Sequence, residues 1–229
     1  VTGFDLEEID RIGERLRSGG ASEADYGVLR QWARTFEPAV AEVVTLLRNA
    51  MGVRPSDRPL KSELSIVRKL RERPKMRLSQ MRDIAGCRVV VDELAAQRDV
   101  IDYVTRTFAG TKVIDHVANP PSSGYRAVHC EIPVSARRVE LQVRTTLQDA
   151  WARYSELLTY HVHPDIRLGR GPDRWVNELS YYSQKFAEAD RSDDVDAART
   201  RRQVAFTFEL QMEFVRDQLR RRARMESDQ

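Results

Sequence analysis

The sequence predicts an α+β fold: a small mixed, mainly antiparallel sheet flanked by helices, with helical extensions at both ends. Apolar residues recur at three- and four-residue steps over residues 4–51 and again from residue 174 onward, which is helical spacing. Between these stretches lie short runs rich in Val, Ile and Cys, several with two-residue alternation, which is strand spacing. The later runs are joined by connections too short for a crossover helix, which suits antiparallel pairing. The reading divides the chain into N-terminal helices (1–54), a mixed core (55–162) and C-terminal helices (163–229).

The elements follow in order. Leu6, Ile9, Ile12 and Leu16 place a helix over 4–17, stopped by Gly19 and Gly20. Ser22 caps a second helix, with Asp25 as the capping-box acid, predicted to run unbroken to Met51. Pro55 and Pro59 mark a loop. A helix over 61–71 takes Ser62 as its cap. A short helical turn from Ser79 leads to a buried strand over 87–91, then a helix over 94–108. Three strands are expected at 112–117, 125–134 and 139–145, a helix at 146–160, and a polar loop at 161–172. The remainder reads as helix with a break near 190–194.

Composition sets limits on function. Hydrophobic residues make up 41% and charged residues 32%, a balance that supports a packed core. A net charge of +3 favours anionic ligands without establishing nucleic-acid binding. No apolar run approaches the roughly 20 residues that span a bilayer, and residues 1–10 carry acids without an apolar signal core. The expectation is a cytoplasmic protein with no membrane partner. Cys87 and Cys130 lie in strand-like runs and read as buried thiols.

Four segments carry chemistry. In the strand 139–145, Val139, Leu141 and Val143 share one face, while Glu140, Gln142 and Arg144 share the other. In the strand 125–134, Val128, Cys130 and Ile132 face the core, leaving Tyr125, Ala127, His129 and Glu131 opposite. An aromatic ring beside hydrogen-bonding groups suits a nucleobase. Asp83 stands just before a buried strand, and with Glu140 it makes a candidate pair of hard oxygen donors for Mg2+. Lys61, Ser65 and Lys69 are spaced four apart, a stripe that suits a polyphosphate near a helix N-terminus.

Taken in order, the segments read Lys-Ser-x-x-Ser-Ile-x-x-Lys-Leu from Lys61, Asp-Ile-Ala-Gly-x-Arg from Asp83, Gly-Tyr-Arg-Ala-Val-His from Gly124, Glu-Leu-Gln-Val-Arg-Thr from Glu140 and Asp-Ala-Trp-Ala from Asp149. That series resembles the RelA/SpoT-like alarmone synthetases over residues 58–160. The resemblance implies a nucleotidyltransferase-like synthetase domain that transfers the β,γ-pyrophosphate of ATP to the 3′-hydroxyl of GDP or GTP. It implies ATP contacts from Lys61, Ser65 and Lys69, with Arg77 and Arg88 as further phosphate ligands. Arg58 is a further ATP candidate, displaced from the place the family's arginine usually holds. Asp83 and Glu140 resemble the Mg2+ ligands and catalytic acids. Tyr125 resembles the residue that stacks on the acceptor base, and His129, Gln142 and Arg144 resemble its supporting contacts.

Two departures bear on the reaction. The four histidines include no His-Asp dipeptide, which sets aside the family's hydrolase and leaves a resemblance to its small stand-alone synthetases. Where guanosine-directed members carry Glu-His and then Tyr-Lys, this chain has Ser155-Glu156 and Tyr160-His161. That change, with Arg199, Arg201 and Arg202 and the cluster at Arg220, Arg221, Arg222 and Arg224, keeps a second acceptor open: the 3′-CCA end of tRNA, as in toxin members of the family. The third alternative, an inactive binding module on the same fold, is disfavoured by the presence of Asp83, Glu140, Tyr125 and Arg144. The terminal helices leave a homo-oligomer or an antitoxin partner equally open.

Overall fold

The computed structural model describes residues 3–192 and 196–227. Its elements are α1 (Leu6–Ser18), α2 (Glu23–Arg34), α3 (Glu37–Met51), β1 (Ser56–Arg58), α4 (Glu63–Glu72), β2 (Gly86–Val91), α5 (Leu94–Thr107), β3 (Lys112–Asp115), β4 (Val128–Val134), β5 (Arg137–Thr145), α6 (Thr146–His161), α7 (Asp173–Arg191) and α8 (Ala197–Ser227). The five strands form one sheet in the order β1-β2-β5-β4-β3, so the α+β architecture with helices around a small sheet is as expected. β1 pairs antiparallel with β2, with Arg58 opposite Gly86. β4 and β5 form a hairpin whose loop is Ser135-Ala136, and Ser135 takes a φ of +53°, the left-handed conformation that tight hairpins use. The Glu140 N–H donates to Ala85 C=O and the Thr146 hydroxyl to Val91 C=O, so β5 runs parallel to β2 and the sheet is mixed.

The chain divides into two compact units. The first comprises Val1–Val89, Asp102–Val113 and His129–Gln142. Its helices bury Ile9, Ile12, Leu16, Leu29, Trp32, Val43 and Leu47. The single helix expected from Ser22 to Met51 is two helices. Pro38 has no N–H to give to Arg34, and its ring crowds that carbonyl, so the turn closes early: Thr35 N–H meets Trp32 C=O at 3.1 Å and Phe36 N–H meets Ala33 C=O at 3.1 Å. β1 falls in the loop expected around Pro55 and Pro59, because its three residues pair with β2 without an apolar pattern of their own.

The second unit comprises Val90–Ile101, Ile114–Val128 and Val143–Gln229. Here α6, α7 and α8 pack around Trp151, Tyr154, Leu158, Leu179, Phe186, Phe208 and Met212. β3 ends earlier than expected because the Asp115 carboxylate accepts from Val117 N–H at 2.7 Å and Ala118 N–H at 2.9 Å, a local turn that competes with the ladder. The polar loop at 161–172 contains a 3-10 turn, Ile166–Leu168, that buries Ile166. No helix among the described residues is long and apolar enough to cross a membrane. Cys87 and Cys130 are free, buried thiols whose pKa values burial pushes up to about 12.

A buried polar knot ties α7 to the start of α6. Thr145 caps α6 and donates its hydroxyl to Asp190 Oδ2 at 2.7 Å; Gln148 donates to the same oxygen at 3.4 Å. Burial raises Asp190 to about 6, outweighing the Thr145 bond, the charge of Arg201 and the Gln148 bond. The unfolded chain loses this proton near pH 4, whereas the folded chain keeps it to about pH 6. Stability from this group is therefore greatest at low pH and declines as pH rises through that window, by about 3 kcal/mol. Replacing Asp190 with Asn should remove that decline. Urea titrations of both proteins between pH 4 and pH 7 should show the wild-type chain losing stability relative to the variant by this order as pH rises; a constant difference across the range would contradict the assignment.

Candidate functional site

The first unit gathers most of the predicted site residues around two carboxylates. Asp83 sits in the segment that leads into β2. Lys61 N–H is anchored to Ile84 C=O at 2.8 Å, which brings its ammonium to Asp83 Oδ2 at 2.9 Å. Lys69, on α4, reaches Asp83 Oδ1 at 2.7 Å. The stripe predicted on one helix is thus assembled differently. Ser62 is the N-cap, so Lys61 precedes the helix, while Ser65 and Lys69 lie one turn apart on it. Ser65 stands at the N-terminus of α4, its N–H and hydroxyl both bonded to the Ser62 hydroxyl. Burial alone would raise the Asp83 pKa, but Lys69 and Lys61 overcome it and hold the carboxyl below its usual range.

Glu140 is the second centre. It points from the face of β5 opposite Val139 and Leu141, and it is 15% exposed. Arg58 pairs with its Oε2, Gln142 Nε2 donates to the same oxygen at 2.9 Å, and His129 Nδ1 lies 3.4 Å from Oε1. Burial again opposes ionisation; the hydrogen bond and charge of His129, with the charge of Arg58, prevail and hold Glu140 well below the ordinary carboxylate range. The local backbone explains the placement. A Cβ on Gly86 would stand 2.2 Å from the Glu140 carbonyl oxygen, so only glycine lets β2 approach β5 here. Ala85 C=O accepts from Glu140 N–H at 3.2 Å, with Asp83 two residues upstream.

Arg88 and Arg77 complete the predicted phosphate ligands. Arg88 lies on β2, on the same face as Gly86, opposite Ser56 of β1. Arg77 is 62% exposed and lies 3.7 Å from Asp10, and it touches neither Asp83 nor Glu140. Among the described residues no group of three or more His, Cys, Asp or Glu side chains is arranged to hold a metal by itself.

The remaining two predicted residues meet in the second unit. Tyr125 precedes β4 instead of belonging to it, in a loop shaped by Gly124 with a φ of +83°. Gly124 C=O accepts from the Ser183 hydroxyl at 2.6 Å, and a Cβ on Gly124 would come within 2.9 Å of Ser183. The strand alternation expected from Tyr125 therefore fails at its start: Ala127 and Val128 are both buried. Arg144 donates to the Tyr125 hydroxyl at 3.1 Å and to Asp149 Oδ1 at 3.0 Å, with its guanidinium 5.5 Å from the Tyr125 ring centroid. Although buried, Arg144 keeps its proton more tightly than usual, because Tyr125 and Asp149 offset the burial. His129 and Gln142, predicted to serve alongside these two residues, contact Glu140 in the first unit.

Sequence reasoning missed Asp149 and Trp151 as site residues, although both stand in a quoted motif. The spacing of Asp149 and Arg153 on α6 was the available signal: they pair at 3.0 Å one turn apart, which turns the second Asp149 oxygen away from Arg144. Trp151 flanks Tyr125 with a centroid distance of 6.2 Å, fixed by its indole N–H on Leu179 C=O at 2.8 Å.

Residues 58–163 match the family model described as a region found in RelA / SpoT proteins. A protein of Mycobacterium tuberculosis is 36% identical over 119 residues, covering 50% of this chain and 42% of the relative. The GTP pyrophosphokinase YwaC of Bacillus subtilis is 27% identical, covering 52% of this chain and 62% of its own. The chain thus spans less than two thirds of either relative. Among solved structures, small alarmone synthetase 1 from Bacillus subtilis bound to its product pppGpp superposes with a TM-score of 0.56 at 23% identity, covering 70% of this chain and 93% of that one. That likeness establishes the fold, and the family match runs from Arg58 across Asp83, Tyr125, Glu140 and Arg144 to His163, so residues 58–163 carry a region found in RelA / SpoT proteins.

Proposed function

We propose that the chain is a pyrophosphokinase that moves the β,γ-pyrophosphate of ATP to the 3′-hydroxyl of a guanosine nucleotide. The observation that carries the reading is the charge arrangement of the first unit. Two ionised carboxylates, Asp83 and Glu140, are each held by basic side chains of the kind that bind phosphate: Lys61 and Lys69 on one, Arg58 on the other. These ion pairs are exchangeable. When a triphosphate arrives, its oxygens take over the lysines and the arginine, and the two acids are freed for work at the reacting centre.

The donor chemistry fits Mg2+. Asp83 and Glu140 supply hard oxygens that are ionised at neutral pH, and Mg2+ is ordinarily held by one or two carboxylates with phosphate oxygens and water. Asp83 and Glu140 would hold it, and the ion would offset charge on the phosphoryl oxygens. The chain's own residues do the rest. Lys61 and Lys69 hold the polyphosphate, with Ser65 presented at a helix N-terminus beside them. An oxygen lone pair of the 3′-hydroxyl forms the new bond to the β-phosphorus. The bond from that phosphorus to the α,β-bridging oxygen breaks, and AMP leaves with that oxygen. The hydroxyl proton passes to a Glu140 oxygen, whose basicity rises once Arg58 turns to phosphate. Tyr125, steadied by Arg144 and Trp151, offers a ring to the acceptor base.

The tRNA acceptor rests on the altered Ser155-Glu156 segment and on exposed arginines. That basic surface is smaller than the sequence suggests: Arg201 is buried and lies 3.3 Å from Glu93, and Arg202 lies 2.7 Å from Asp92. Arg199, Arg220 and Arg221 remain exposed, while the side chains of Arg222 and Arg224 lie outside the described residues. The guanosine nucleotide is therefore the favoured acceptor.

Incubation with γ-labelled ATP and GDP, GTP or deacylated tRNA should put label in the guanosine product; label in tRNA alone would overturn the acceptor assignment. Glu140→Gln and Asp83→Asn should each lower transfer by about a hundredfold or more while circular dichroism stays unchanged, and near-wild-type turnover in either would remove its assigned role. Tyr125→Ala should raise the acceptor KM about tenfold and leave ATP binding unchanged, an energy on the scale of one stacked base. An unaltered acceptor KM would argue against stacking.

A further inference from the structure

A cavity of ≈360 Å3 in the first unit, beside the β4–β5 turn, is unused by the chemistry above. Its lining includes Arg82, Arg137, Arg138, Ser79, Ser135 and Phe36. Three arginines line this one small cavity, and their like charges repel one another unless something negative lies between them.

Their partners do not supply that charge. Arg137 packs its guanidinium 4.7 Å from the Phe36 ring centroid and 6.0 Å from that of Trp32, yet its Nε and Nη2 are buried with no hydrogen-bond partner. No other described residue has two buried nitrogens in that condition. Arg82 is exposed and has no ion pair among the described residues. Arg138 has one long contact there, from Nη1 to Gly110 C=O at 3.4 Å. Of the neighbouring acids, Asp10 is occupied by Ser79 N–H at 2.9 Å and the Ser79 hydroxyl at 3.0 Å and does not line the cavity, while Glu42 lines the adjoining cavity with Arg137, is exposed and forms no ion pair among the described residues. Burial lowers the Arg137 pKa, but a guanidinium stays protonated in proteins, so the unpaired charge persists. A buried charge without an acceptor is costly, and buried unpaired donors commonly mark the place of a missing ion or ligand.

We propose that this cavity is an anion site for a phosphate or pyrophosphate group, separate from the Asp83 and Glu140 cluster, none of whose members lines it. Arg137 supplies the fixed charge of the cavity wall, its guanidinium pre-set by the Phe36 and Trp32 rings, and Arg82 and Arg138 close on the anion from the rim. A second, largely apolar cavity of ≈560 Å3 shares Ser135, Ala136 and Arg137 and continues past Phe4 and Pro38. It gives room for the uncharged part of a larger phosphorylated molecule, and both volumes lie within the range of small-molecule sites.

Calorimetric titration with inorganic pyrophosphate tests the site on the full chain. A Lys61→Ala, Lys69→Ala variant, in which the proposed ATP site is disabled, should still bind one equivalent. Adding Arg82→Gln and Arg138→Gln to that variant should weaken binding at least tenfold. No binding to the lysine variant, or an affinity unmoved by the added arginine changes, would overturn the proposal. GTP supplies the second arm, read in the lysine variant carrying Tyr125→Ala, which disables the proposed acceptor site as well: GTP binding that is tighter than pyrophosphate and is weakened by Arg82→Gln and Arg138→Gln identifies a nucleotide as the source of the phosphate group, and GTP binding no tighter than pyrophosphate identifies free pyrophosphate.

Discussion

The seam between β2 and β5 sets the terms for the candidate site. Gly86 lies so close to the Glu140 backbone that a side chain atom would fall 2.2 Å from its carbonyl oxygen. That approach allows the Ala85 to Glu140 hydrogen bond, and the bond fixes the register in which Glu140 emerges beside the segment that carries Asp83. A shift of one residue would turn Glu140, Gln142 and Arg144 into the core and bring Val139 and Leu141 out. An acid on β5 and an acid fifty-seven positions earlier, in the segment leading into the neighbouring strand β2, thus depend on one missing Cβ.

Burying two carboxylates is unfavourable unless each is paired, and the basic residues answer that need. Lys61 and Lys69 on Asp83, and Arg58 and His129 on Glu140, keep both acids ionised inside a largely dry site. The same residues suit a polyphosphate. In the account developed above, the protein without ligand holds its cations and anions against each other, and a nucleotide separates them. On the proposed function, pairing holds both acids without substrate and exchange arms them when substrate comes.

Much of this was legible in the sequence. The alternation of Val139, Leu141 and Val143 placed Glu140 on the exposed side, Ser22 and Ser62 marked real helix caps, and the motif order pointed to the family. Other features were not. β1 is too short and polar to carry a pattern, and it exists because β2 offers an edge. The break at Phe36 needed the consequence of Pro38 weighed against a long apolar stripe. Strand alternation assigned His129 and Gln142 a face but not Glu140 as their partner, because a face is all that periodicity can assign; which cation meets which anion depends on side-chain reach. Arg144 looked like an open-face residue and is buried, with Asp149 and Tyr125 bonding its two terminal nitrogens from outside the strand.

The charge-exchange account is tested most directly by the affinity of metal-free ATP for the Asp83→Asn protein. Neutralising Asp83 removes the group that competes with phosphate for Lys61 and Lys69. Metal-free ATP should therefore bind the variant at least as tightly as it binds the wild-type chain, even as pyrophosphate transfer collapses. A loss of metal-free ATP binding in step with the loss of transfer would contradict the account.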